Sequence, residues 1–324
     1  MSGGEGVEEW GEGIRSLRLP MPAFGGVNAL LIGEKGNHAI VDTGLPNAAT
    51  AQVWAQIDEG WASGARQIVC THMHIDHIGQ AGPLLARSGA SFLMNAVEHA
   101  DAVRLTGMTP AQRLVELQAL WARNGFDASL ARLPSDYSVM APFPTSFQPL
   151  AHGDQVDLGG IGFEVHIGGG HSLAPACFYS RGRKILIAGD QLLSGSGPQI
   201  VVQSDDPDYD AMGAYLDFLE QMQALPEDTM VLPGHGQKLP LGATITRIRQ
   251  GHLARLERVK AVVTEWMSCA DMVPLVFSDR ALAHLRSRMP HMMPALANYL
   301  ALRGQLSRRV NDAGIVLYGP VQGL

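Results

Sequence analysis

Cysteine is scarce in this sequence: Cys70, Cys177 and Cys269 are the only three in 324 residues, odd in number and far apart. That pattern argues against a disulfide framework and for reduced thiols inside secondary-structure elements. Long apolar runs are missing too, and none approaches the about 18 residues that a membrane-spanning helix needs. The first residues, Met1-Ser-Gly-Gly-Glu-Gly-Val-Glu-Glu9, have neither the basic nor the apolar region of a signal peptide. A cytoplasmic location with no membrane partner is therefore expected. Charged residues are few at 17% against 46% hydrophobic ones, a balance that lets a globular chain bury a sizeable core. The length suits one large unit with a smaller one attached.

The net charge of −7 is unevenly spread. Beyond Pro240 stand 11 Lys and Arg against 5 Asp and Glu, while the residues up to Pro240 hold 13 against 26. A basic end of this kind is either a nucleic-acid footprint or the solvated face of a helical segment. The second is the commoner reason.

What the chain does concentrate is histidine. Cys70-Thr-His-Met-His-Ile-Asp-His-Ile-Gly79 carries His72, His74, Asp76 and His77 within six residues, directly after the apolar run Gln67-Ile-Val-Cys-Thr71. Imidazole nitrogen and carboxylate oxygen are ligands that zinc takes. On extended backbone His72 and His74 project to the same side, and a turn after them brings Asp76 and His77 to a second position. One ion with four ligands is one option. Two neighbouring ions, completed from elsewhere in the chain, is the better one. His38, His99, His152, His166, His252, His284 and His291 stand alone and are expected to be hydrogen-bonded core or surface residues.

The His-x-His-x-Asp-His pattern resembles the signature of the metallo-β-lactamase superfamily. The resemblance implies an α/β fold, a four-layered αββα sandwich, over residues 14–240. By it, His72, His74 and His171 (in Gly168-Gly-Gly-His-Ser172) hold one metal. Asp76, His77 and His235 (in Pro233-Gly-His-Gly236) hold the other, and Asp190 bridges the two. Asp190 ends the apolar run Lys184-Ile-Leu-Ile-Ala-Gly, where a carboxylate without a partner is expensive to bury. Asp42 (in Asp42-Thr-Gly44) and Ser172 are implied as supports beneath the metals. Leu173-Ala-Pro175 departs from the commoner Pro-Gly of the family, and residues 191–198 would line the mouth of the site.

Along the chain, the residues up to about Gly13 are expected to fray. Strands are expected over 27–33 and 38–44, a helix from Ala48 to about Gly64, a short helix over 82–89 and a strand over 91–95. Residues 96–150, with a helix over 110–123, form an insertion that acts as a lid or pocket wall. Phe143 and Phe147 there are candidates for substrate contacts, weighed against ordinary packing. Over 241–324, Ile245, Ile248, His252, Leu256, Val259 and Val263 repeat at helical spacing. Further helical segments, 281–288 and 295–302, precede two short strands about Asp312-Ala-Gly314. That order resembles the small, mostly helical, winged-helix-like domain that some family members carry.

The implied cofactors are two Zn²⁺ per chain, with Fe or Mn as alternatives, and the implied nucleophile is water activated by both ions. Asp76 and Asp190 are the carboxylates placed to take part in catalysis. The family's redox branch carries Glu where this chain has His74, and many of its true β-lactamases carry Cys where this chain has Asp190. The expectation is therefore a hydrolase of a small carbonyl substrate: a thioester, lactone or ester. The alternative is an endoribonuclease whose basic C-terminal domain binds RNA. Only 45 residues separate Asp190 from His235, too few for the domain that the nuclease branch inserts there. A small-molecule partner is preferred over nucleic acid, with a homodimer as one option for self-association.

Overall fold

The computed structural model describes residues 7–21, 25–57, 60–279 and 286–321. Its first sheet has seven strands in chain order: β1 (Val7–Gly11), β2 (Ile14–Leu19), β3 (Val27–Glu34), β4 (Asn37–Val41), β5 (Ala65–Val69), β6 (Ser91–Asn95) and β7 (Gln148–Leu150). The first four pair antiparallel, and β4 through β7 run parallel. The second sheet holds β8 (Gln155–Leu158), β9 (Ile161–Ile167), β10 (Ala176–Ser180), β11 (Ile185–Gly189), β12 (Met230–Pro233) and β13 (Leu239–Pro240), with β11 and β12 parallel.

Side-chain alternation explains the layering. On β3, Leu30 and Ile32 face the other sheet and meet Phe163, Phe178 and Ile187, whereas Ala29 and Leu31 face a helical layer. That layer is α1 (Ala48–Gln56), α2 (Ile75–Ile78), α3 (Ala81–Ser88) and α4 (Ala96–Thr106), next to α5 (Pro110–Arg123). On the outer face of the second sheet lie α6 (Ala211–Gln223) and α7 (Leu241–Val262), followed by α8 (Cys269–Val276) and α9 (Met289–Leu302). Helix, sheet, sheet, helix is the expected αββα order. Cys70, Cys177 and Cys269 are all buried free thiols. Among the described residues no helix is long and apolar enough to cross a membrane.

Several local expectations are corrected. Val7–Gly11 is not frayed but pairs with β2, because Trp10 buries its indole in the core between the sheets. The first helix stops at Gln56, with Val53 and Trp54 on its buried side. His72 and His74 lie beyond the end of β5: His72 is in a bend, and His74 has extended backbone just before α2. An unforeseen α4 fills part of the insertion, and the helix expected over 295–302 begins at Met289. The stripe Ile245, Ile248, Leu256, Val259 is buried as spaced, in one core with Tyr215 and Phe218 of α6. The helix expected over 281–288 falls mostly outside the described residues, as does His284.

The terminal β15 (Ser307–Val310) and β16 (Val316–Gly319) form the expected hairpin. A two-residue β14 (Met267–Ser268) joins it as a third strand.

Candidate metal centre

Every chemically interesting loop leaves the carboxyl end of a strand on one side of the sandwich, where open α/β sheets place their ligands. Asp42 follows β4, His72 to His77 follow β5, His171 follows β9, Asp190 follows β11 and His235 follows β12. Tertiary folding brings all of them together. His72, His74 and His171 form one group, and Asp76, His77 and His235 a second, each with ligand atoms within 4.8 Å of one another. Asp190 stands between them: its Oδ2 is 3.5 Å from His171 Nε2 and 3.4 Å from His235 Nε2, and its Oδ1 is 3.5 Å from His77 Nε2. Asp76 Oδ2 lies 3.2 Å from His235 Nε2 and 3.5 Å from His77 Nε2.

The far nitrogens of the rings are tied back. His77 Nδ1 donates to Asp42 Oδ2 at 2.7 Å. The Thr71 hydroxyl donates to the Asp42 carboxylate and accepts from His72 Nδ1 at 2.9 Å. His171 Nδ1 donates to the Gln199 carbonyl at 3.1 Å, and His235 Nδ1 to the Gly26 carbonyl at 2.8 Å. Four rings are thus fixed in the tautomer that aims Nε2 inward. His74 differs, turning Nδ1 toward His72 Nε2 at 2.9 Å.

What faces inward lacks partners. His77 Nε2, His171 Nε2 and Asp190 Oδ1 are buried without a hydrogen bond. Burial alone would push the Asp190 carboxyl up, yet His77, His171 and His235 around it hold it well below the usual carboxylate range. Asp76 is likewise held to about 2: burial opposes, and His77 and His235 prevail. Burial, joined by neighbouring rings, drives His74 down to about 3, so it presents a neutral imidazole. Two carboxylates and a shell of imidazoles, with buried polar atoms left unpaired, fit a divalent-metal site.

Backbone geometry makes the convergence feasible. Gly170, at φ 89°, sits where a Cβ would meet the Ala211 carbonyl at 2.5 Å and Tyr215 Cβ at 2.6 Å, so the loop turns His171 inward only with glycine there. A Cβ on Gly234 would stand 2.4 Å from Asp190 Oδ1.

Sequence reasoning missed several contributors. Glu98 of α4 is fully buried and accepts the Met73 N–H at 2.8 Å and the Ala174 N–H at 2.6 Å. One carboxylate therefore clamps the His72–His74 bend to the loop of His171. Burial raises the Glu98 pKa and the two backbone N–H groups work against that rise, while the Ser172 hydroxyl is buried without a hydrogen-bond partner. Thr71 and Tyr137 were also missed; the Tyr137 hydroxyl accepts the Ile75 N–H at 3.0 Å. Thr71 had a signal in its place before the motif. Glu98 and Tyr137 had none, because their partners are distant in sequence.

A cavity of about 290 Å³ opens onto the cluster, walled by Tyr137, Ile75, Leu193, Pro198, Gln199 and Arg288 beside the ligands. The insertion thus supplies a wall through Tyr137. Phe143 and Phe147 do not reach it: Phe143 packs 5.9 Å from Phe92 and Phe147 stacks on His99 at 3.8 Å. Among the histidines expected to be hydrogen-bonded, His38 binds the Trp61 carbonyl and His99 the Pro144 carbonyl. His166 departs: neither ring nitrogen has a hydrogen bond, although Nε2 stands 3.6 Å from Glu164 Oε1.

Residues 22–235 match the model of the Metallo-beta-lactamase superfamily. The fold aligns with a beta-lactamase domain protein from Burkholderia ambifaria at a TM-score of 0.82 and 27% identity, over 98% of this chain and 96% of that one. A metallo-beta-lactamase family protein from Thermus thermophilus aligns at 0.78 and 21% identity, over 96% and 100%. In sequence, the chain is 28% identical over 225 residues to the acyl-coenzyme A thioesterase MBLAC2 of Homo sapiens, 64% of this chain and 72% of that protein.

Proposed function

Since the chain belongs to the metallo-β-lactamase superfamily, we propose that it is a metal-dependent hydrolase of small acyl thioesters, with two zinc ions held by the cluster and iron or manganese as alternatives. The observation that carries this reading is the inward set of buried, unpaired atoms, His77 Nε2, His171 Nε2 and Asp190 Oδ1, around one small space. His72, His74 and His171 would hold one ion, Asp76, His77 and His235 the other, with Asp190 between them. Bound there, the metals supply Lewis acidity toward the acyl oxygen and lower the pKa of water.

The protein's own residues do the rest. Asp190 and Asp76 stay ionised and contribute two negative charges toward two cations. Asp42 and Thr71 keep His77 and His72 in one tautomer. Asp76 Oδ2, at the inner surface of the cavity, is placed to accept a proton from the attacking water. Tyr137 is the phenol in the wall, but its hydroxyl points its proton at Met73 Sδ, 3.9 Å away, and burial pushes its pKa up, so it is no ready acid. That favours a substrate whose leaving group departs unprotonated. A thiolate does so readily, its conjugate acid having a pKa of about 8.5, whereas an amide nitrogen does not. The relationship to a human acyl-coenzyme A thioesterase supports the same choice.

Part of the C-terminal basic charge is already taken up inside the protein, which lends the RNA alternative less support. Arg303 pairs with Asp210, Arg308 pairs with Asp208, and Arg309 lies over the Trp266 ring at 4.2 Å. Turnover of an acyl thioester, an acyl lactone and a single-stranded RNA, each with and without chelator, tests the proposal. Chelator-sensitive thioester cleavage is expected, and chelator-sensitive cleavage of RNA alone would reverse it.

A further inference from the structure

The metal chamber has a neighbour. A second cavity of about 220 Å³ shares His74 and Tyr137 with it, and Arg104, Arg113, Glu116 and His291 complete its wall. Its two arginines differ. Arg104 is saturated by Asp101 at 2.8 Å, Asp205 at 3.2 Å and Glu116 at 3.4 Å. Glu116, the carboxylate of this chamber, is thereby taken up.

Arg113 has no carboxylate in ion-pair contact among the described residues. Its Nη1 donates to the Ser135 carbonyl at 2.5 Å, and its Cζ stands 4.6 Å from the Tyr137 ring centroid. It is half-buried, and burial weakens its hold on the proton. Most of its N–H donors are unspent, in a planar fork that suits a carboxylate or phosphate. Asp101 and Glu116 act on it only at a distance and are already paired with Arg104, and half-burying a cation with no direct counter-charge is costly. The position is also rigid: Thr109 and Gln112 form a reciprocal cap at the start of α5, with Pro110 at its first position, and Arg113 follows within that first turn.

We propose that this side chamber is an anion subsite, in which Arg113 receives a carboxylate or phosphate carried by a substrate whose thioester group lies at the His/Asp cluster. The proposal rests on the thioester reading above. His74 and Tyr137 line both cavities, so a substrate that reaches from one to the other carries its anion on a short arm close to the scissile bond. A chamber of about 220 Å³ admits such an arm and not a nucleotide.

Matched thioesters test this on the metal-loaded full chain. Butyryl- and succinyl-N-acetylcysteamine differ by a carboxylate in place of the terminal methyl of the acyl arm; S-acetyl-2-mercaptoethanol and its O-phosphate differ by a phosphate on a short thiol arm. One anion-bearing member is expected to show a KM lower by about ten- to a hundredfold, the worth of a charge-assisted hydrogen bond. Arg113→Met should abolish most of that difference, and Arg113→Lys should retain part of it. The preferred member tells acyl arm from thiol arm. Equal KM values within both pairs would overturn the subsite, as would an Arg113→Met loss of equal size for charged and neutral members.

Thermal melting gives a readout that needs no turnover. Succinate or inorganic phosphate should raise the Tm of the wild type more than that of Arg113→Met. With that shift present and no thioester cleaved, the subsite stands and the thioester reading fails. With neither shift nor preference, the subsite itself is refuted.

Discussion

Asp42 Oδ2 lies 2.7 Å from His77 Nδ1, and the same carboxylate reaches His72 through the Thr71 hydroxyl. One buried side chain therefore orients a ligand of each metal group. Asp42 does this from left-handed backbone, at φ 63°. Asp42→Asn tolerates that backbone but loses the charge, and metal affinity should fall by about 10- to 100-fold. Thr71→Val, which cuts only the relay to His72, should fall less. Competition with a chromophoric chelator measures both, and wild-type affinity in Asp42→Asn would remove the orienting role.

Asp190 is the hub, within 3.5 Å of three ring nitrogens. Asp190→Ala should lose metal and activity together while its circular dichroism stays that of a folded protein. Full metal content with normal turnover would sink the bridging assignment.

At Gly234 an added Cβ would meet Asp190 Oδ1 at 2.4 Å and His77 Cε1 at 2.8 Å. Both partners are held from behind and neither can retreat freely. Gly234→Ala should cost about tenfold or more in metal affinity. Retained affinity would mean that the loop moves instead.

Glu98 accepts two backbone N–H groups while fully buried. Glu98→Gln turns one acceptor oxygen into a donor against a donor, a loss of about 1–3 kcal/mol. Chemical denaturation should report that loss, and weaker metal binding should accompany it as the two loops separate. An unchanged midpoint would show that the clamp is dispensable.

His252 sits 3% exposed against Tyr215, and burial lowers its pKa to about 3. The folded state thus binds its proton later than the unfolded chain does. Its contribution is complete above pH ~6.5 and drains away as the pH falls toward 3, by up to about 1.4 kcal/mol per pH unit. Metal-free wild type should therefore lose stability over that window more steeply than His252→Gln. Parallel curves would exclude His252 as the cause.

Sequence by itself marked out the residues that cluster, since His72, His74, Asp76 and His77 announce themselves within six residues and His171, Asp190 and His235 each follow an apolar or glycine-rich run. It determined the layers too, because alternation on strands such as β3 and the stripe on α7 dictate which faces are buried. It could not show that Glu98 clamps two loops, that Asp42 reaches His72 through Thr71, or that Arg113 stands beside His74. Those relationships join residues 25 to 76 positions apart, or lie in side-chain orientation, and no local periodicity encodes them. It left Phe143 and Phe147 between substrate contact and ordinary packing, and only the fold shows them against Phe92 and His99. Chemistry of the ligands is a property of residue type, whereas the second ring of contacts exists only once distant strands end on the same side of the sandwich.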